Sequence, residues 1–277
     1  MIRLQQILDR LDELAPLAIA EDWDNVGLLV GDPCCEIKSV MTCLTITAET
    51  VEEAITNEVN CVVVHHPLPF KPISQITPST STGKYLWQLA SAKVAVYSPH
   101  TAWDNAFGGI NQQLANLLAL EDVQPMIPLN EKQRRFFSMN NESKSQLQLG
   151  TGRKGIATNV DTIDALVSQI RASINEPHFQ CNRSVETKVS RIGIVCGSGG
   201  SFVGSAMKAG VDLLVTGEAT YHQFLEATSL GIGLLTIGHY QSESFAMDRL
   251  AELLLECFSS LNIWRSRSEQ DAYCGEI

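Results

Sequence analysis

Two adjacent histidines, His65 and His66, close an apolar run in CVVVHHPLPF, residues 61–70. Neighbouring residues on an extended strand face opposite ways. Two imidazoles that serve one site therefore need a bend, and Pro67 favours a departure from the strand there. Three other places carry the same chemistry. SPHTAWDNA holds His100 and Asp104 at a spacing of four, TGEATYH holds Thr216, Glu218 and His222, and IGHYQSESF holds His239 and Glu243, again four apart. Each follows an apolar, strand-like run, and open α/β sheets place their sites beyond the carboxyl ends of the strands. Five of the six histidines thus fall at strand ends or in the turns after them, while His178 reads as an exposed loop residue. A lone histidine at a strand end is usually bonded to a backbone carbonyl. Five, together with three acids, call for another explanation.

Imidazole with carboxylate is the donor set expected for zinc, iron or manganese, softer than the all-oxygen sites of magnesium or calcium. No cysteine stands where a structural zinc finger would need one. A mononuclear catalytic site takes about three protein ligands and an open position. His65, His66, Asp104, His239 and Glu243 offer five donors, and the carboxylates can bridge, so two metals fit better than one. A pair about 3.5–4 Å apart would share a water or hydroxide and clamp a substrate oxygen. That water would ionise near neutral pH and act as nucleophile. His100, Glu218 and His222 would orient ligands or carry protons.

The elements that must place these residues follow a β-α-β-α-β rhythm. VMTCLTIT (40–47) reads as a strand, AETVEEAITNE (48–58) as a helix capped by Thr47, CVVV as a strand, KYLWQLASA (84–92) as a helix and VAVY (94–97) as a strand. The second half repeats the pattern with strands at 191–197, 212–217 and 234–238 and helices at 202–210 and 223–231. Thr42–His66 falls on Gly193–Gly217 at a displacement of 151, and His100 falls on His239 at 139, which reads as a structural duplication. The expected organisation is a first α/β half over 1–125, a connecting segment over 126–190 with a helix at 159–174, and a second α/β half over 191–277. CGSGG (196–200) reads as a tight strand-to-helix turn, with a polar wall of the site or a phosphate contact as the alternative. In AEDWDNVGLLVGD (20–32), Asp22, Asp24 and Asn25 read as turn residues fixing the end of the first helix, with Trp23 in the core and with cation binding as the alternative.

Composition sets limits on function. The chain has 277 residues, 44% hydrophobic and 18% charged, with a net charge of −11. That balance argues against nucleic acid as the main partner, and the basic stretch EKQRRFF reads as a solvated face. The amphipathic start lacks the features of a signal peptide, and no run reaches transmembrane length. Eight cysteines without a C-x-x-C pair read as reduced, mostly buried thiols of a cytoplasmic protein.

WDNVGLLVG, VVVHHPLPF, HTAWDNAFGGIN, CGSGG, DLLVTGE and GHYQSE, in this order and nearly end to end, resemble the GTP cyclohydrolase I type 2 homologue family, the Nif-three-like dinuclear-metal proteins. The resemblance implies two interlinked α/β domains of similar topology and a toroidal homohexamer. It implies two divalent metal ions per subunit, iron, zinc, manganese or magnesium, on His65, His66, Asp104, His239 and Glu243. Thr45 departs from the family's usual aspartate, and Tyr221 from a histidine often found there; both departures bear on substrate and rate more than on metal binding. The activity implied is a metal-dependent hydrolase using a bridging hydroxide; the family name suggests opening of the imidazole ring of GTP, a small-molecule nucleotide substrate for which Lys71 is a basic candidate near the motifs. The reading of a different class is a metal-binding ring without turnover: a metallochaperone, a store or an interaction scaffold.

Overall fold

The computed structural model describes residues 1–139 and 148–273; the middle of the polar stretch in the expected connecting segment, 140–147, lies outside them. In chain order the first elements are β1 (Ile2–Arg3), α1 (Leu4–Leu14), β2 (Gly27–Val30), β3 (Glu36–Ile37), β4 (Ser39–Cys43), α2 (Ala48–Thr56), β5 (Cys61–Val64), α3 (Ser81–Ser91), β6 (Ala95–Ser98) and α4 (His100–Asn105). Next come α5 (Ile110–Leu117), β7 (Glu121–Gln124), β8 (Ile127–Pro128), α6 (Glu131–Met139), β9 (Gly150–Thr151), β10 (Arg153–Ile156), α7 (Ile163–Ser173) and β11 (Gln180–Cys181). The last are β12 (Arg191–Val195), α8 (Val203–Lys208), β13 (Leu213–Thr216), α9 (Tyr221–Ser229), β14 (Gly233–Thr236), α10 (His239–Glu243), α11 (Phe245–Cys257) and β15 (Asn262–Arg265). They group into two units, Met1–Ala102 with Ala246–Ile277, and Trp103–Phe245.

The first unit is built on a five-stranded sheet in the order β15-β4-β5-β6-β2, parallel throughout except for β2, which runs antiparallel to β6. Every residue of β4, β5 and β6 is buried, as parallel strands covered on both faces require. Met41, Val51, Val62, Leu89 and Val96 share one core, and each such side chain contributes roughly 1.5–3 kcal/mol on burial. Helix α2 starts where Thr47 and Thr50 exchange side-chain-to-backbone hydrogen bonds, which satisfies N–H groups the first helical turn leaves open. The expected strand over 40–47 stops at Cys43, because the N–H groups of Leu44 and Thr45 both go to the Glu269 carboxylate.

The second unit carries a six-stranded sheet in the order β11-β14-β13-β12-β10-β7. β12, β13 and β14 are parallel; β10, β7 and β11 are antiparallel to their neighbours. Its core includes Val195, Val203, Ala206, Leu214 and Leu234. Residues 126–190, read from the sequence as a connecting segment, supply β10 and β11 to this sheet. Residues 246–277, read as part of the second half, supply α11 and β15 to the first unit, where β15 pairs with β4. The helix expected over 159–174 forms as Ile163–Ser173, capped by Thr162.

The strand pairings test the internal repeat. Thr42 pairs with Val63 and Gly193 pairs with Leu214, so both partners move by 151. Val63 pairs with Tyr97, whereas Leu214 pairs with Leu234, a displacement of 137. His100 and His239, 139 apart, thus sit two residues out of register with the strands that precede them. Two parallel β-α-β-α-β cores of the same order are present, with different exits from their third strands.

The seven described cysteines are free. Cys43, Cys61 and Cys196 are buried, but Cys34, Cys35 and Cys257 are exposed, so the expectation of a mostly buried set fails at the surface. Arg135 is exposed on α6, as read from the sequence. Among the described residues no helix is long and apolar enough to cross a membrane.

Candidate metal centre

In the first unit the carboxyl end of β5 carries both histidines. The ladder with β4 continues past the strand, with His65 N–H bonded to Cys43 O at 3.0 Å and His66 N–H to Leu44 O at 2.8 Å. Ser98 Oγ, at the end of β6, donates to His65 O at 2.6 Å. Two strands thus fix the backbone from which both rings project. His65 is fully buried and His66 half-buried. Their ring centroids are 5.0 Å apart, and His100 completes the group at 4.9 Å from His65 and 5.8 Å from His66. One ligand atom from each of the three lies within 4.8 Å of the others. Three imidazoles converging so closely fit a metal ion, since nitrogen donors at about 2.0–2.1 Å from zinc stand a little over 3 Å from one another in a tetrahedral site.

Asp24 holds His100 in this arrangement. Its side chain is completely buried; Oδ1 is 2.8 Å from His100 Nδ1, and Oδ2 accepts from the N–H of Thr101 at 3.0 Å and from its hydroxyl. Burial would raise the Asp24 pKa, but the bonds to His100 and Thr101 outweigh it and hold the carboxyl below its usual range. His100 sits at φ +28°, a sterically disfavoured value for a residue with a Cβ. Such a conformation persists only where surroundings fix it, and Asp24 does so at both His100 and Thr101. Asp24 was read as a turn residue; it is a carboxylate oriented on an imidazole, a common arrangement behind metal-binding histidines. Trp23 is not in the core. It is 63% exposed, with Phe70 at 5.9 Å and His100 at 6.1 Å between ring centroids.

In the second unit the i, i+4 spacing on α10 puts His239 and Glu243 on one helical face, with Nε2 3.2 Å from Oε2. Glu218, after β13, reaches His239 Nδ1 at 3.2 Å, and Ser198 Oγ donates to the same Glu218 oxygen at 2.5 Å. Burial lowers the His239 pKa, but the hydrogen bonds and charges of Glu243 and Glu218 prevail and lift it to about 9. Glu218 is held below its ordinary value first by Ser198, then, against burial, by His239.

The CGSGG turn makes room for this pair. Gly197 has φ +63°, and a Cβ there would lie 2.2 Å from Glu243 Oε1 and 3.4 Å from His239 Nε2. Ser242 Oγ accepts from Gly197 N–H at 2.9 Å and donates to His239 O at 2.8 Å, tying the turn to α10. The turn is therefore a tight one and also a wall of the His239–Glu243 cluster. Asp104, on α4, lies in this unit. Its carbonyl accepts from Asn111 Nδ2 at 3.1 Å, while Asn111 Oδ1 accepts from Cys196 N–H at 2.8 Å. Burial pushes the Cys196 thiol up, and the charges of Glu243 and Asp104 push it further, so both acids act on the start of the turn. Arg153, also buried, donates to the carbonyls of Ala106, Gly150 and Gly152 beyond Asp104. Burial brings its pKa down to about 10, against the charge of Asp104.

His65, His66 and His100 thus form one cluster, and His239, Glu243 and Glu218 another, each within its own unit. His222 is exposed on α9, its ring 5.7 Å from that of Tyr221, and stands in neither. Lys71 is exposed, and His178 is half-buried. Sequence reasoning missed Asp24, Asn111 and Ser242 as positioning residues. Their signal was their place inside WDN, GGIN and GHYQSE.

These observations define an α/β protein of two units whose parallel strands end in histidine and carboxylate groups that could hold a metal ion. The chain belongs to the Duf34/NIF3 (NGG1p interacting factor 3) family, whose model matches residues 2–272. It is 30% identical over 259 residues to a GTP cyclohydrolase 1 type 2 homolog of Clostridium perfringens, covering 94% of each chain. It is 32% identical over 254 residues to a GTP cyclohydrolase 1 type 2 of Helicobacter pylori, covering 92% of each. Staphylococcus aureus protein SA1388 superposes with a TM-score of 0.86 at 25% identity over 99% of both chains. A Bacillus cereus protein related to NIF3 superposes at 0.88 with 20% identity over 99% of both, a likeness of fold.

Proposed function

We propose that His65, His66, Asp104, His239 and Glu243 hold two divalent metal ions and that the protein is a metal-dependent hydrolase. The observation that carries the reading is the convergence of three imidazoles beyond the ends of β5 and β6, with donor atoms of His65, His66 and His100 within 4.8 Å of one another. Asp104, His239 and Glu243 bring the oxygen donors and third imidazole that a pair of ions needs. When bound, such ions supply Lewis acidity and a water acidified to near neutral pH. The protein's own groups do the rest. Asp24 keeps the His100 ring fixed for proton transfer, Glu218 orients His239 from Nδ1, and Gly197 leaves space for the Glu243 carboxylate. His222 receives no role. The names of the relatives point to a purine nucleotide as substrate, and the family resemblance to a cytoplasmic homohexamer.

A second reading, a metal-holding protein without turnover, is favoured by the charge around the donors. Glu218 and Glu243 flank His239, and Asp24 backs His100, carboxylates that complement the charge of bound ions rather than that of a triphosphate. Elemental analysis after anaerobic reconstitution with iron, zinc or manganese tests the common part of both readings. Two ions per chain are expected, and less than one ion per chain removes the proposal. Turnover of GTP and other nucleotides by the loaded protein separates them: the hydrolase loses activity in His65→Ala and Glu243→Ala with the fold intact, whereas the metal-holding protein has none to lose.

A further inference from the structure

A carboxylate far along the chain is bound to the residues that hold His66. Glu269 follows β15, and its side chain is only 2% exposed. Oε1 accepts the N–H of Leu44 at 2.6 Å and of Thr45 at 2.9 Å, the two residues at which the chain leaves β4. Leu44 O accepts the N–H of His66, and Thr45 Oγ1 lies 2.7 Å from His66 Nδ1. The backbone of His66 is thus fixed by Leu44 and its ring by Thr45, and both of these are fixed by Glu269. A second tie, Thr50 Oγ1 to Thr45 O at 3.3 Å, secures Thr45 from α2. Burying a carboxylate is costly unless it is well bonded. Capping two N–H groups at a strand end does not in itself require one, since water or a neutral side chain serves elsewhere.

We propose that Glu269 is a positioning residue of the metal centre: it sets Leu44–Thr45 so that the Thr45 hydroxyl accepts a hydrogen bond from His66 Nδ1–H and leaves Nε2 as the metal donor. A neutral imidazole carries one proton, and the partner at one nitrogen decides which nitrogen is free. The segment after β15 thereby acts on a histidine that precedes it by about two hundred residues. The inference rests on the reading of His66 as a ligand, but its first test needs no metal.

Long-range proton–nitrogen NMR on the full, metal-free chain, at a pH where His66 is neutral, reads the tautomer directly. The wild type should show His66 protonated at Nδ1. Glu269→Ala and Thr45→Val should each give a tautomer mixture, while Glu269→Gln, which keeps an acceptor oxygen, and Thr45→Ser should retain the wild-type form. Zinc competition titrations should then show the Ala and Val variants weakened about 10–100-fold for one ion, with the conservative variants near wild type. Thr45→Val leaves the Glu269 carboxylate in place and tests the Thr45–His66 bond; should Glu269→Ala not fold, Glu269→Asp, whose shorter side chain withdraws the acceptor from Leu44 and Thr45, should give the same tautomer mixture. A wild-type His66 protonated at Nε2, or an unchanged tautomer in a folded Glu269→Ala or Glu269→Asp, overturns the proposal. If His66→Ala leaves zinc affinity untouched, the ligand assignment fails instead, and the tautomer result still decides the role of Glu269.

Discussion

At Gly197 the difference between a hydrogen and a methyl group decides whether Glu243 can stand beside His239. Two costs attend an alanine there. The left-handed backbone costs about 1–2 kcal/mol in any residue with a Cβ. The Cβ itself would meet Glu243 Oε1 at 2.2 Å and force the carboxylate away. Gly231 separates the two: it has φ +75° and open space where its Cβ would go. Gly231→Ala should therefore lose about 1–2 kcal/mol in a urea titration and bind zinc as the wild type does. Gly197→Ala should lose at least as much and also bind zinc about tenfold more weakly, as expected when a metal donor is displaced. Equal zinc affinity in the two variants would show that Glu243 does not depend on the turn. Residues of this kind are only half legible in a sequence. The spacing of His239 and Glu243 displays a shared helical face, because four residues make about one turn. Asp24 and Trp23 gave no such signal, since the partner of Asp24 lies 76 residues away and only the fold brings it to His100.

At the scale of elements, apolar runs with helical neighbours were readable, and elements held by single polar side chains were not. β5 and α2 follow from CVVV and from Thr47 ahead of an acidic first turn. β10, spelled RKGI, carries no apolar alternation, because its inward positions are filled by Arg153, bonded to carbonyls, and by Gly155. β15 is secured in a similar way by Glu53 on α2. Its carboxylate accepts from Trp264 Nε1 at 3.1 Å, Ser266 Oγ at 2.6 Å, and the N–H groups of Arg267 and Ser268 at 3.0 Å. Burial would raise the Glu53 pKa, but these donors outweigh it and lower the pKa from the usual 4.5. A carboxylate whose folded pKa is depressed contributes stability that is present above its unfolded pKa and is lost as pH falls through the folded value. Glu53→Gln should therefore cost about 2–3 kcal/mol at pH 7, since bonds to a charged acceptor are among the stronger ones. The gap between variant and wild type in urea unfolding should narrow steadily below pH 4.5. A gap that stays constant from pH 7 to pH 3 would mean that the charge on Glu53 contributes nothing.

On the scale of the whole molecule, the repeated strand order was legible because local hydrophobic pattern encodes parallel β-α-β units. The return of residues 246–277 to the first unit was not, because strand pairing between β15 and β4 is set across more than two hundred residues of intervening chain. The five proposed donors divide between the units, His65 and His66 in one, Asp104, His239 and Glu243 in the other. An ion that binds only the native protein adds stability of about 2.7 kcal/mol at a free concentration a hundredfold above Kd. Chelation should therefore lower the melting temperature of the reconstituted protein, by roughly 5–10 °C for each ion removed at about 2–4 °C per kcal/mol for domains of this size. The sharper test is by variant. His65→Ala and Glu243→Ala should each lose a metal-dependent increment, whereas His178→Ala, outside both clusters, should retain all of it. Calorimetry of wild type and the three variants, with zinc and with chelator, reads each increment directly. An increment unchanged in His65→Ala or in Glu243→Ala would remove that residue from the donors.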